Sequence, residues 1–261
     1  MDIVKLGWSG GKDSTCSGYK HLERGDKVKM VCYIPMFTKE IPLMLKCHYG
    51  FIMQQKQVFE SMGAEVYIVS GMTYWEYCTH IARSGKFKGQ MFGFPCFKTS
   101  QCGFKRDSKL KAIRDCDVGE YDYEDIGIAY DEVDRHAQLN DKKRSILCEL
   151  KITESGAMSF CIDKNALSPN YATKRRDDCP LCPQAKESER QEWYKDYPQA
   201  VPLLMKLQRI INENRKDRKP LRNNKWFIPE QGLDGYEPTL FDFMNVKQKE
   251  LSNETSNSFR D

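Results

Sequence analysis

No stretch of this 261-residue chain approaches the ~20 consecutive apolar residues that a membrane span needs. That excludes a helical membrane protein. The first residues read directly as a strand and carry none of the features of a secretory leader. The cytoplasm is therefore the expected compartment. Neither sign of charge dominates: 41 Lys and Arg stand against 37 Asp and Glu, a net of +4. Composition by itself does not point to nucleic acid. No internal repeat is present. A Walker A loop is also missing, because Lys12 is followed by Asp13 and Leu6 holds the place of that motif's first glycine.

Cysteine, by contrast, is plentiful. There are 11, an odd number, and without a secretory leader a disulfide framework is not expected. Metal or sulfur chemistry accounts better for some of them. Others, such as Cys32 and Cys148 in apolar strand-like runs, read as small core residues.

The most informative segment is Ser9-Gly10-Gly11-Lys12-Asp13-Ser14-Thr15, which follows the apolar run Ile3–Trp8. Two glycines let the backbone bend so that several N–H groups face one anion. A helix starting near Ser14 adds its positive end. Lys12 supplies a mobile charge, and Ser9, Ser14 and Thr15 supply hydroxyls. The pattern is that of a phosphate-binding loop.

Strand and helix signals alternate downstream. Strands are expected at Ile3–Trp8, Val28–Ile34 and Ala64–Val69, and helices at Ser14–Arg24, Tyr49–Met62 and Tyr74–Arg83. The spacing predicts βαβ units and a parallel sheet, with the phosphate loop at the carboxyl end of the first strand. Further expectations are a basic helical segment over Lys105–Arg114 and strands at Tyr123–Tyr130 and Ser145–Leu150. Thr153 reads as an N-cap for a helix over Glu154–Asn165. A long amphipathic helix is expected from Glu187 to Asn214, interrupted at Pro198 and Pro202. The fold class is thus α/β: a parallel, twisted, Rossmann-like sheet flanked by helices, with a helical C-terminal extension. The expected division is a nucleotide-binding domain over 1–150 and a helical, cysteine-containing region over 151–261, packed on the first. Its last residues, Ser252–Asp261, have the composition of a disordered tail.

Cys179-Pro-Leu-Cys182 forms a Cys-x-x-Cys turn that presents two thiolates to one metal. Cys96 and Cys102 flank Phe97–Gln101 in a Gly/Phe-rich loop. The four together have the ligand count for Zn²⁺ or a [4Fe–4S] cluster, and the sequence leaves the two open.

Ser9–Thr15 resembles the PP-loop signature of the ATP pyrophosphatase superfamily. In the order of its blocks the chain is similar to the phosphoadenosine phosphosulfate (PAPS) reductase-like branch, particularly its phage and prophage members. Those blocks are Ser9–Thr15, Cys102–Lys105 with the basic residues through Lys111, Gly127–Glu132 with Arg135, Ile152–Glu154, and Leu167–Cys182. The resemblance implies an adenine nucleotide α-hydrolase-like fold and cleavage of ATP to AMP and pyrophosphate. A nucleotide or nucleic-acid substrate such as tRNA or DNA would be adenylated, with sulfur transfer as one outcome. It implies ATP and Mg²⁺ as cofactors, Lys12 and Asp13 as catalytic groups with Asp13 on the Mg²⁺, and cofactor contacts from Ser9, Gly10, Gly11, Lys12, Asp13, Ser14 and Thr15. Tyr33 would border the adenine, and Arg135 would meet a phosphate or pair with Asp131. The four cysteines would hold the metal. Sulfonucleotide reductases of this branch also carry a nucleophilic cysteine in a C-terminal Glu-Cys-Gly motif. No cysteine follows Cys182. Reduction of PAPS or APS would then need an external thiol, and nucleotide binding without catalysis is a third reading. His48 and His136 are acid/base candidates by type. The basic, aromatic-flanked run from Lys206 to Phe227 is a candidate nucleic-acid contact. Self-association stays open, and no membrane partner is expected.

Overall fold

The computed structural model describes residues 1–85, 88–95, 102–173, 179–182 and 185–214. All of them fall within one unit, Met1–Lys216. Five strands form its sheet: β1 (Ile3–Trp8), β2 (Lys27–Tyr33), β3 (Glu65–Val69), β4 (Tyr123–Asp125) and β5 (Lys143–Arg144). The order is β3-β2-β1-β4-β5, and every pairing is parallel. This is a Rossmann-like α/β sheet with β1 at its centre, as the alternation of strand and helix signals predicts.

The strands' period of two decides what covers each face. Leu6, Trp8, Val28, Met30 and Cys32 share one core with Tyr19 of α1 (Lys12–Arg24) and with Phe51, Ile52 and Phe59 of α2 (Lys46–Ser61). Between them stand Lys5 and Lys29, which face the other way. Lys5 Nζ donates to the Ile113 carbonyl at 3.3 Å in α4 (Lys111–Asp115), and Lys29 Nζ donates to the Val118 carbonyl at 2.7 Å. Helices therefore cover both faces. α1 ends at Gly25, which adopts φ 88° and closes the turn into β2.

Several boundaries differ from the sequence expectation. α3 spans only Tyr74–Thr79, opened by a capping box between Thr73 and Glu76. The basic segment begins as a π-helical turn over Lys105–Leu110 before α4. β4 stops at Asp125, because Ile128 N–H turns back onto the Ile126 carbonyl at 2.6 Å. The strand expected over Ser145–Leu150 is instead the short helix α5 (Ile146–Glu149). Ser145 caps it, and Asp125 Oδ2 accepts from Ile146 N–H at 2.8 Å, so the backbone turns where apolar content suggested extension. α6 covers Glu154–Asp163 with Thr153 as its cap. The long C-terminal helix is two helices, α7 (Glu187–Asp196) and α8 (Ala200–Asn214), broken at Pro198. Pro202 lies in the first turn of α8, where its missing N–H costs little.

α5 and α6, which lie on either side of residue 150, both pack on α1. No described helix is long and apolar enough to cross a membrane.

Candidate nucleotide site

β1 runs into Ser9–Gly11 and α1 starts at Lys12. Because β1 lies between β2 and β4, the loop sits at the switch point of the sheet, outside its carboxyl edge, where open α/β sheets bind ligands. Gly10 has φ 77°, and a Cβ there would stand 2.9 Å from His48 Cε1. Only glycine meets both conditions without strain. Gly127, just past β4, comes equally close from the other side: a Cβ on it would lie 2.8 Å from the Ser14 backbone nitrogen. Both glycines let neighbouring elements close around the start of α1.

The hydroxyls of the loop are engaged locally. Ser14 Oγ accepts from Ser9 N–H at 3.2 Å and lies 3.3 Å from Ser9 Oγ, which in turn accepts from Gly11 N–H at 3.3 Å. Thr15 is buried and accepts from the Trp8 indole N–H at 3.1 Å. Gly11 contributes no side-chain cap, so the first N–H groups of α1 depend on groups from elsewhere. One of these, Lys12 N–H, donates to the Tyr171 hydroxyl at 3.1 Å.

Carboxylates surround the Lys12 ammonium. Nζ lies 2.8 Å from both oxygens of Asp13 and 3.0 Å from Glu154 Oε1. Burial works against the Lys12 charge, but Asp13 and Glu154 outweigh it and hold the ammonium above its ordinary range. Burial raises the Asp13 carboxyl above its ordinary value; Lys12 opposes this, while Glu132 and Glu154 add to it. Asp131 Oδ1 accepts from Glu154 N–H at 2.8 Å. Arg135 pairs with Glu132 at 2.6 Å rather than with Asp131. Glu154 and Glu132 are the site residues that the motif did not reveal. Their only signal was position, beside the Thr153 cap and inside the Gly127–Glu132 block.

The remaining candidates are distributed as follows. Tyr33 ends β2 and its hydroxyl lies 2.7 Å from Ser108 Oγ, which itself donates to the Met72 carbonyl at 2.6 Å. Burial pushes the Tyr33 phenol up to about 12; Ser108 opposes this, and Cys179 and Cys102 add to it. A cavity of about 510 Å³ opens beside this pair at the end of β3, lined by Val69, Gly71, Met72, Ser108, Lys111 and Ala112. His48 is buried, with Nδ1 2.9 Å from Ser168 Oγ. His136 Nε2 lies 3.4 Å from Cys148 Sγ. Cys148 is half-buried rather than a core residue, its thiol donating to the Ile128 carbonyl at 3.4 Å, whereas Cys32 is fully buried.

Cys96 lies outside the described residues, as does the basic run beyond Asn214. Cys102, Cys179 and Cys182 are each half-buried. All three, with Cys78, act on one phenol: burial first, and then these four cysteines, raise the Tyr74 hydroxyl well above its ordinary value. Among the described residues, however, no three His, Cys, Asp or Glu side chains are arranged to hold a metal ion.

No protein-family model matches the chain, and no curated protein matches it. Among solved structures it is similar to a 4-thiouridine synthetase, seen in complex with RNA and with bound ATP. The identity is 15% and the TM-score 0.38, over 84% of this chain and 54% of that one. The chain thus spans about half the length of that neighbour. The fold assignment rests on the strand order and the loop, not on this likeness.

Proposed function

We propose that the protein is an ATP-using PP-loop enzyme of the PAPS reductase-like type, with Ser9–Thr15 as its phosphate loop. ATP is cleaved between its α- and β-phosphates. An oxygen of a nucleotide or nucleic-acid acceptor attacks the α-phosphorus, the bond to the bridging oxygen breaks, and pyrophosphate leaves. The acceptor is thereby activated for substitution, sulfur insertion included. The observation that carries this reading is the junction of β1 and α1: a glycine loop at the switch point, running into a helix whose N-cap residue, Gly11, has no side chain to cap it.

In this reading the backbone of Gly10 and Gly11 and the hydroxyls of Ser9 and Ser14 cradle the phosphates, and Lys12 neutralises charge as pyrophosphate departs. Thr15 supports the loop through Trp8. The surroundings of Lys12 favour a divalent cation. Asp13 and Glu154 meet Lys12, Glu132 meets Arg135, and Asp131 accepts from Glu154 N–H, so a bare polyphosphate would meet excess negative charge. Asp13 and Glu154 offer oxygen donors, and Mg²⁺ takes one or two carboxylates and completes its shell with phosphate oxygens and water. Cys102, Cys179 and Cys182, with Cys96, are the thiols proposed to hold Zn²⁺ or a [4Fe–4S] cluster. Zinc there would clamp the loops, and a cluster would bring sulfur chemistry to the same edge of the sheet.

Incubation with Mg·ATP and candidate tRNA, DNA or nucleotide acceptors is expected to release pyrophosphate and AMP, and Lys12→Ala to abolish that release. Sulfite release from PAPS with thioredoxin, without pyrophosphate from ATP, would replace this reading with sulfonucleotide reduction. Tight ATP binding without turnover on any acceptor would make the protein a nucleotide sensor. Metal analysis after anaerobic purification checks the cysteine site: neither iron nor zinc would remove it.

A further inference from the structure

Tyr171 reaches the loop from 159 positions downstream, and its hydroxyl lands on the first N–H of α1. Lys12 is the first residue of α1, so its N–H has no acceptor within the helix. In a nucleotide complex that donor belongs to a phosphate oxygen. Here the Tyr171 hydroxyl accepts it, at 3.1 Å. The other donor of the same residue, the ammonium, is held by Asp13 and Glu154. Lys12 thus meets a phosphate with both its main-chain and its side-chain donors already engaged inside the protein.

The tyrosine is held where it is. It lies in a 3₁₀ turn, Pro169–Thr173, that follows the buried Ser168. Ser168 Oγ accepts from Asn170 N–H at 3.3 Å and lies 2.9 Å from His48 Nδ1. The His48 ring in turn packs against Gly10. The turn is therefore fastened to the loop at Gly10 as well as at Lys12.

We propose that the Tyr171 hydroxyl is a placeholder for a phosphate oxygen, an autoinhibitory contact that the nucleotide displaces when it binds. The proposal rests on the function proposed above. A neutral phenol oxygen is a weaker acceptor than a phosphate oxygen, so the exchange runs toward the nucleotide. Breaking the phenol contact lowers the affinity that is measured, because only the uncapped state can bind. The turn that carries Tyr171 must then shift as the nucleotide enters.

Mg·ATP affinity of the wild type, Tyr171→Phe and Lys12→Ala, measured by calorimetry, tests this. Tyr171→Phe removes one oxygen and is expected to tighten binding about threefold to tenfold, the range set by one net hydrogen bond. Hydrogen–deuterium exchange of the wild type supplies a second readout that needs no variant. Mg·ATP should slow exchange over residues 9–15 and speed it over residues 168–173. Equal or weaker binding by Tyr171→Phe, or slower exchange over 168–173, overturns the placeholder. Should Tyr171→Phe fail in this way while the wild type binds ATP and Lys12→Ala does not, the nucleotide site stands and only the role of Tyr171 falls. A wild type that binds no ATP overturns the proposed function itself.

Discussion

Single side chains beneath the phosphate loop carry charge into the interior and depend on one another. His21, in α1, is fully buried between two carboxylates: Nδ1 lies 2.9 Å from Asp26 Oδ2 and Nε2 lies 3.1 Å from Asp125 Oδ2. Asp26 also accepts from Arg24 at 2.7 Å and from Asp2 N–H at 3.2 Å. Burial works to raise the Asp26 carboxyl, but His21, Arg24 and the Asp2 N–H together hold it below its ordinary 3.8. A carboxyl lowered on folding stabilises the protein above its unfolded value, and the contribution fades as pH falls through the folded value. Asp26→Asn is expected to cost about 2–3 kcal/mol at pH 7. Urea denaturation at a series of pH values should show that deficit shrinking below about pH 4. A deficit that does not change with pH would locate the role of Asp26 in packing instead.

Among the elements, the approach of β4 to α1 matters most. Gly127, two residues past the end of β4, lies against the backbone of Ser14, and no side chain fits between them. Gly127→Ala must push the start of α1 away from the sheet. Overpacking of this kind costs about 1–3 kcal/mol. Displacement of the loop is expected to weaken ATP binding by about tenfold or more. Calorimetry on a variant that still melts cooperatively checks this; unchanged affinity would mean that the loop does not use the N-terminus of α1. The same helix shows what periodicity can and cannot reveal. β1, β2 and β3 were legible because each is a short run rich in apolar and β-branched residues, bounded by turn signals. β4 was legible in place but not in length, and β5, only two residues long, was not. Ser145 looked like part of a strand because the second acceptor that turns the chain there, the Asp125 carboxylate on Ile146 N–H, comes from a strand 21 residues earlier.

At the scale of the molecule, the helices after residue 151 belong to the same packed body as the sheet. α6 lies on α1, and the Cys161 thiol donates to the Lys12 carbonyl at 3.3 Å. Trp193 of α7 is fully buried, meets Phe37 edge-on at 5.4 Å and donates to the Pro42 carbonyl at 2.9 Å, in the segment that follows β2. Trp193→Ala is expected to cost about 3–5 kcal/mol. The whole denaturation curve should shift as one transition, followed alike by near-UV and far-UV circular dichroism. Two separate transitions would restore a boundary near residue 150.

By itself the sequence determined the glycine loop after β1, the parallel sheet that presents it, and the cap at Thr153. Each of these is written in neighbouring residues, through turn-forming glycines, strand and helix periods, and side chains that bond within four positions. Only the tertiary structure decided what surrounds Lys12. Glu154 arrives 142 positions later and Tyr171 159 positions later. Neither belongs to a local pattern, because an ion pair or a donated N–H across the fold leaves no period in the chain. The folded chain places both against the loop, one on the ammonium and one on the N–H.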